Sequence, residues 1–237
     1  MSSEWSPISK HTPDDWLEKL VATRFTHDER GRLIGRAPAL YVIRTPDAVV
    51  VRSHARLPDD VAERLRAIAE RLRGRPRDWA SEYGAYLDAL ARIAPIAAMR
   101  AGPLYLSPPT LSGSDSCVRL SPDNADLLVG GGLEEWIPDA RDGMLMIAIV
   151  EDGRAVSICA SVHASDGFHH AGVETAPPWR GRGLAGRAVA AWAEQVRALG
   201  AEPLYATTFD NLASQTVARR LGLALIGSEF EVVLAQL

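Results

Sequence analysis

The stretch Thr175-Ala-Pro-Pro-Trp-Arg-Gly-Arg-Gly-Leu-Ala-Gly186 decides how this chain is read. It follows a short run of strand character and leads into a long alanine-rich amphipathic segment, the pattern of a strand, a sharp turn and a helix. Gly181 and Gly183 let the main chain approach a ligand with no side chain in the way. The first-turn N–H groups of the helix behind them lack intrahelical partners, and the helix dipole favours negative charge there. The turn is therefore expected to receive a phosphate or diphosphate.

Two general phosphate-binding patterns fit poorly. A P-loop requires Gly-x-x-x-x-Gly-Lys-Ser/Thr, and the only lysines, Lys10 and Lys19, are not beside glycines. The dinucleotide fingerprint Gly-x-Gly-x-x-Gly is matched literally by Gly181, Gly183 and Gly186, with Asp210 following a later strand at Leu204–Thr208. Against it, Pro177-Pro178-Trp179-Arg180 separate the strand from the first glycine, and too little chain follows Asp210 to complete a doubly wound sheet.

A third pattern fits both spacing and surroundings. Arg180-Gly181-Arg182-Gly183-Leu184-Ala185 resembles the Arg/Gln-x-x-Gly-x-Gly/Ala signature of the GNAT superfamily of acyl-CoA N-acyltransferases. After the helix come a strand, Pro203-Leu-Tyr-Ala-Thr-Thr208, then Asp210-Asn211-Leu-Ala-Ser214 opening a second helix that closes with Arg219-Arg220-Leu221-Gly222-Leu223. The same order is found in GNAT proteins, and the resemblance runs from about Cys117 to Leu237. It implies an α/β fold: a GNAT-like mixed, mostly antiparallel sheet flanked by helices, preceded by an α+β N-terminal region. The organisation expected is an N-terminal region 1–102, a linker 103–116 rich in Pro, Ser and Gly, and an acyltransferase domain 117–237.

Composition sets outer bounds. With 237 residues, 47% of them hydrophobic, the chain is long enough for one large or two small globular domains. No apolar run approaches the roughly 18 residues of a membrane span, and Met1–Asp15 lacks the apolar core of a secretory signal, so a cytoplasmic protein without a membrane partner is expected. A net charge of -4 argues against a nucleic-acid partner, although every basic residue except Lys10 and Lys19 is arginine and suited to local anion sites. Cys117 and Cys159 form no Cys-x-x-Cys pair, and the adjacent His169 and His170 point to opposite faces if extended, so no metal is implied.

The patterning along the chain adds elements. Helices are expected at Asp14–Phe25, Asp59–Leu72 and Ser81–Ile93, and a hairpin joins Leu40–Arg44 to Ala48–Ser53 through Thr45-Pro46-Asp47. Cys117–Leu120 reads as a strand and Asn124–Trp136 as one or two short helices. Met144–Val150 and Arg154–Ala164 form a hairpin about Asp152-Gly153, and Phe168–Thr175 is the next strand. In the major helix Ala185, Val189, Trp192, Val196 and Leu199 make a single apolar face, with Gly200 as its stop.

The resemblance also assigns chemistry. It implies acetyl-CoA as cosubstrate, no metal, and backbone amides from Gly181 through Leu184 to Ala185 holding its diphosphate, with Arg180 and Arg182 as charge partners. Val173, seven residues before Arg180, falls where the family uses a main-chain N–H as oxyanion donor, and Thr175 shares its strand edge. Asn211 is placed to contact the pantetheine arm or to cap its helix, and Ser214 to contact the arm and take part in thiolate protonation. The position usually held by a tyrosine general acid, seven residues after Asn211, is Ala218. His169, Glu174 and the neighbouring His170 are the candidate bases. The function implied is acetyl transfer to a primary amine of a small molecule or peptide by direct attack in a ternary complex, with a homodimer as an open arrangement. The rival is a non-catalytic coenzyme-A-binding sensor or interaction protein, favoured by the missing tyrosine.

Overall fold

A computed structural model of the chain describes residues 13–72, 79–111, 117–165 and 167–235. In chain order the elements are α1 (Pro13–Arg24), β1 (Leu40–Arg44), β2 (Val49–Ser53), α2 (Asp59–Leu72), α3 (Trp79–Ala91), β3 (Ile96–Leu106), β4 (Cys117–Arg119), α4 (Ile137–Arg141), β5 (Met146–Glu151), β6 (Arg154–Ala164), β7 (Phe168–Thr175), α5 (Leu184–Ala198), β8 (Glu202–Ala206), α6 (Leu212–Arg220) and β9 (Ala224–Leu234). Every described strand pairing is antiparallel except β7 with β8. This is the mixed, mostly antiparallel sheet flanked by helices that the resemblance implies. The chain divides into two compact units, Met1–Pro103 with Ile226–Leu237, and Leu104–Leu225.

In the first unit the strand order is β2-β1-β9-β3. All five residues of β1 are buried, because α1 contacts one face while α2 residues Val61, Leu65 and Ile68, at helical spacing, join Leu40 and Val42 in a core on the other. Phe230, Val232 and Leu234 of β9 bring alternate side chains to that same core, with Phe230 stacked on Tyr83 at 4.1 Å between ring centroids. On the neighbouring positions of β9, Glu229 and Glu231 both meet Arg24, whose guanidinium also lies 5.2 Å from the Tyr41 ring. Thus the part of β9 from Ile226 to Leu234, grouped with the C-terminal domain on sequence grounds, is the third strand of this unit's sheet.

The second unit has the order β3 (its end, Leu104–Leu106)-β8-β7-β6-β5-β4. The stretch 103–116, expected to be a linker, is strand at its start: Leu104-Tyr105-Leu106 pair with β8, and the apolar trio outweighs the proline before it. Ser112–Ser116 of that stretch lie outside the described residues. The Asp152-Gly153 hairpin closes as a two-residue turn, with Glu151 opposite Arg154. Two 3-10 turns, Pro122–Leu128 and Glu134–Trp136, occupy the segment read as short helices.

Helix α5 is buried on more than one face. Six consecutive residues, Ala188 to Ala193, are buried, and the alanines let β5, β6, β7 and β8 all approach the helix. Leu199, expected on its apolar face, is 59% exposed because it lies past the last turn, where Gly200 N–H bonds Arg197 O and Ala201 N–H bonds Val196 O. The segment that closes α6 repeats this ending, with Leu223 N–H on Ala218 O.

Packing density around Gly227 yields a stability prediction. A Cβ there would sit 2.1 Å from the main-chain oxygen of Arg44, where β1 and β9 run side by side. Gly227→Ala is expected to destabilise the protein by about 2–3 kcal/mol, measured by urea denaturation, because a backbone oxygen cannot rotate out of the way as a side chain can.

Candidate functional site

The site is built where two strands part. β7 and β8 pair in parallel at Phe168 with Glu202, His169 with Pro203 and His170 with Leu204, and there the pairing ends. Beyond it β7 stays on β6 as far as Thr175, while β8 pairs with β3 as far as Ala206. Successive residues of a strand turn their N–H and C=O groups to opposite edges. Ala176 N–H donates to Val156 O on β6, and Glu174 O accepts from Ser157 Oγ on the same strand. The N–H groups of Val173 and Thr175 therefore face the opposite edge, into the gap left by β8.

A cleft of about 1010 Å³ opens along this edge, at the top of the range of small-molecule sites. Its walls include Val173, Glu174 and Thr175 from β7, Trp179, Arg180, Gly181 and Gly183 of the turn, the start of α5, Tyr205 of β8, and Asn211 and Ser214 at the start of α6. Gly181 and Gly183 have φ of 77° and 79°, a conformation that side-chain-bearing residues avoid, and a Cβ on either would enter open space. Gly183 is the N-cap of α5 and offers no side-chain acceptor to the first-turn amides. These amides thus open onto the cleft, as an anion site requires.

The electrostatics agree. In a chain of net charge -4, the cleft is lined by Arg180, Arg187 and Arg220 against a single carboxylate, Glu174. Arg180 Nε donates to Thr175 O at 2.9 Å, which ties the turn back to its strand. Arg182, expected as a second charge partner, does not line the cleft: its guanidinium lies 4.6 Å from the Trp179 ring centroid and donates to Pro178 O, holding the turn from outside. Arg187 lies one helical turn after Gly183 and Arg220 closes α6. Spacing could have pointed to Arg187, whereas Arg220 reaches the cleft only through the packing of α6.

The candidate bases separate. Glu174 borders the cleft and accepts a 2.7 Å hydrogen bond from Trp136 Nε1. The negative charge of Glu174, together with a hydrogen bond between the two side chains, pushes the Glu135 carboxyl above its ordinary range. His169 is on the same face as Val173, because the irregularity in this pair falls on β6 between Ser161 and His163 and leaves the alternation of β7 intact. It is nevertheless four residues away, about 13 Å along the strand. There it is buried, with Nδ1 2.8 Å from Ser161 Oγ, which in turn accepts from Trp192 Nε1 at 2.9 Å. Burial lowers its pKa, and it does not line the cleft. The structure takes His169 out of contact with the cleft and makes it part of the α5 packing; His170, also buried, faces the other side, near His163.

Asn211 caps α6, its Oδ1 accepting from Ser214 N–H at 3.0 Å, which leaves its NH2 group as the donor available to a ligand. Ser214 Oγ lies 2.5 Å from Tyr205 Oη. The sequence reading gave Tyr205 no role; strand alternation alone turns it toward α5 and α6, but only the tertiary fold brings its hydroxyl to Ser214. Ala218 is fully buried against the core and presents nothing to the cleft.

Residues 144–228 match the family model described as GNAT acetyltransferase. This stretch, which runs from β5 through the glycine turn to the start of β9, resembles a GNAT acetyltransferase domain. Among solved structures, a GNAT-family protein from Novosphingobium aromaticivorans is similar at 18% identity and a TM-score of 0.50, over 60% of this chain and 68% of that chain. A GCN5-related N-acetyltransferase from Kribbella flavida gives 17% identity and a TM-score of 0.49, over 92% and 95%. No curated protein matches the chain. Among the described residues no helix is long and apolar enough to cross a membrane, and no cluster of His, Cys, Asp and Glu could hold a metal.

Two predictions test this geometry. Gly183→Ala forces a side chain into a left-handed conformation and is expected to cost about 1–2 kcal/mol of stability. Its affinity for coenzyme A in calorimetric titration should fall at least tenfold (about 1.4 kcal/mol) as the amides lose their alignment. His169 is held below its ordinary pKa of 6.5, so the unfolded chain binds more protons as pH drops through 6.5, and stability present above that value is lost below it. The stability difference between pH 7.5 and pH 5, read from urea denaturation, should be smaller in His169→Asn than in the wild type.

Proposed function

We propose that the GNAT-like domain transfers an acetyl group from acetyl-CoA to a primary amine of a small molecule or peptide, by direct attack with both substrates bound. The observation that carries this reading is the parting of β7 and β8 after His170 and Leu204, which turns the Val173 N–H into a cleft continuous with the amide turn at Gly181–Ala185. The residues present suit a coenzyme: a polar edge for an extended arm, a positive-φ glycine turn and three arginines for phosphates. Bound there, acetyl-CoA supplies an activated acyl carbon with a thiol leaving group.

The chain's own groups then divide the work. Amides of Gly181, Gly183, Leu184 and Ala185, with Arg180, Arg187 and Arg220, hold the diphosphate end through charge-assisted hydrogen bonds worth roughly 1.5–3 kcal/mol each. Thr175 N–H and the Asn211 NH2 group orient the arm. Val173 N–H donates to the thioester oxygen, whose charge grows as the amine attacks, so this fixed donor binds the transition state more tightly than the ground state. Glu174, oriented by Trp136, accepts the proton that the amine sheds. The acceptor enters from the Glu174 side.

The rival reading, a coenzyme-A-binding module without chemistry, draws on the buried Ala218 in place of an acid. A thiol-release assay with acetyl-CoA and a panel of primary amines separates the two. Acetyl transfer to at least one amine is expected, with Glu174→Gln lowering kcat roughly 100-fold and leaving the KM for acetyl-CoA within twofold. Saturable acetyl-CoA binding with no thiol release from any amine would overturn the enzymatic reading.

A further inference from the structure

An acyl transfer that expels a thiolate works best with a hydroxyl ready to donate to it, and the α6 position from which a GNAT tyrosine would do so is occupied by a buried alanine, Ala218. Another phenol faces the cleft. Tyr205 is the first residue of β8 beyond its last pair with β7, so it stands at the mouth of the gap that exposes the Val173 edge. Its side chain is almost wholly buried, yet its Oη is 2.5 Å from Ser214 Oγ and 3.3 Å from Ser214 O, both on the first turn of α6.

We infer that Tyr205 is the proton donor to the coenzyme A sulfur, with Ser214 positioning its hydroxyl, so that a strand residue does the work of the absent helix tyrosine. This rests on the acetyl-transfer reading. The amine nitrogen forms its bond to the acyl carbon, and the carbon–sulfur bond breaks with its electron pair passing to sulfur. Tyr205 O–H gives its proton to that sulfur. Glu174 takes the proton lost by nitrogen, and the Tyr205 phenolate is reprotonated from water in the cleft, so protons and electrons balance.

The chemistry favours this direction of donation. A serine hydroxyl is too weak an acid to protonate a thiolate directly, whereas a phenol is ordinarily within about two pK units of a thiol. With Ser214 O–H donating to the phenol oxygen, the phenolic O–H has only its long 3.3 Å bond to Ser214 O to give up before it turns to the cleft, and the phenolate that forms keeps a donor. Burial pushes the Tyr205 pKa up while the Ser214 hydrogen bond pulls it down, and the phenol remains protonated at neutral pH. The other titratable groups facing it, Tyr105 on β3 and Cys159 on β6, are themselves held neutral by burial, so no fixed charge beside it competes. The Tyr105 ring stands edge-on at 6.3 Å between centroids, fixing the Tyr205 ring without using its hydroxyl.

The test has a binding arm and a kinetic arm. With tyrosines labelled with carbon-13 at the ζ position, and the Tyr205 signal assigned by its loss in Tyr205→Phe, coenzyme A should shift that signal and desulfo-coenzyme A should not. An equal response to both ligands, or a response to neither, overturns the inference. In thiol-release assays Tyr205→Phe should lower kcat about 100-fold or more, leave the KM for acetyl-CoA within twofold, and abolish the alkaline limb of the pH profile. Ser214→Ala should give a smaller fall and move that limb to higher pH, since the phenolate loses its donor. An undiminished kcat in Tyr205→Phe, or an unmoved limb in Ser214→Ala, refutes the assignment. Should Tyr205→Phe fail to fold, Ser214→Ala supplies both the kinetic arm and, through its selective shift, the signal assignment. A wild type that releases no thiol with any amine overturns the acetyl-transfer reading instead, and the coenzyme A against desulfo-coenzyme A comparison still decides whether Tyr205 meets the sulfur.

Discussion

Two neighbouring strands held by different partners cannot stay together along their whole length, and the site grows from that constraint. β7 is bound to β6 through Thr175, and β8 is bound to β3 through Ala206, so their mutual pairing is confined to three residues each. Past His170 the main chain of β7 has donors and acceptors with no strand opposite. A buried edge of this kind is costly unless something polar fills it. The cleft found there, lined by that edge and by the glycine turn, is where such a polar group can be received.

The turn after β7 extends the same logic to charge. Gly181 and Gly183 adopt conformations that expose successive amides, and α5 begins directly behind them without a side-chain cap. Arg182 lies over Trp179 and braces the turn from outside, Arg180 both ties the turn to Thr175 O and lines the cleft, and Arg187 and Arg220 add charge from α5 and α6. Binding and rigidity are therefore divided between residues that look equivalent in the sequence. The density of α5 against β5–β8, made from alanines, keeps the turn fixed in relation to the strand edge.

At the chemical end of the cleft the roles fall to pairs rather than single side chains. Glu174 is oriented by Trp136 and raises the proton affinity of Glu135; Tyr205 is coupled to Ser214. The pairs come from different elements, 3-10 turn with strand and strand with helix, so each group proposed for the chemistry is oriented by a neighbour from another element. His169, the residue whose intrinsic pKa best suits a base, is instead part of a buried hydrogen-bonded chain with Ser161 and Trp192. The desolvation that secures it in the core is what removes it from the solvent-accessible edge.

The sequence by itself determined the features that depend on neighbours along the chain. These are the hairpin at Asp152-Gly153, the helices from Leu184 and Leu212, the glycine turn between strand and helix, and the arginine-glycine order that resembles the GNAT signature. Such features follow from local dihedral preference and from apolar period, which a linear reading contains. Tertiary structure alone decided where β7 and β8 separate, that β9 from Ile226 to Leu234 joins the sheet of the first unit, and that 104–106 is strand. It also decided that Arg220 and Tyr205 face the cleft while Arg182 and His169 do not. Each of those outcomes is a competition between partners far apart in the chain, won by packing and hydrogen bonding in three dimensions, and no residue carries the result in its own identity.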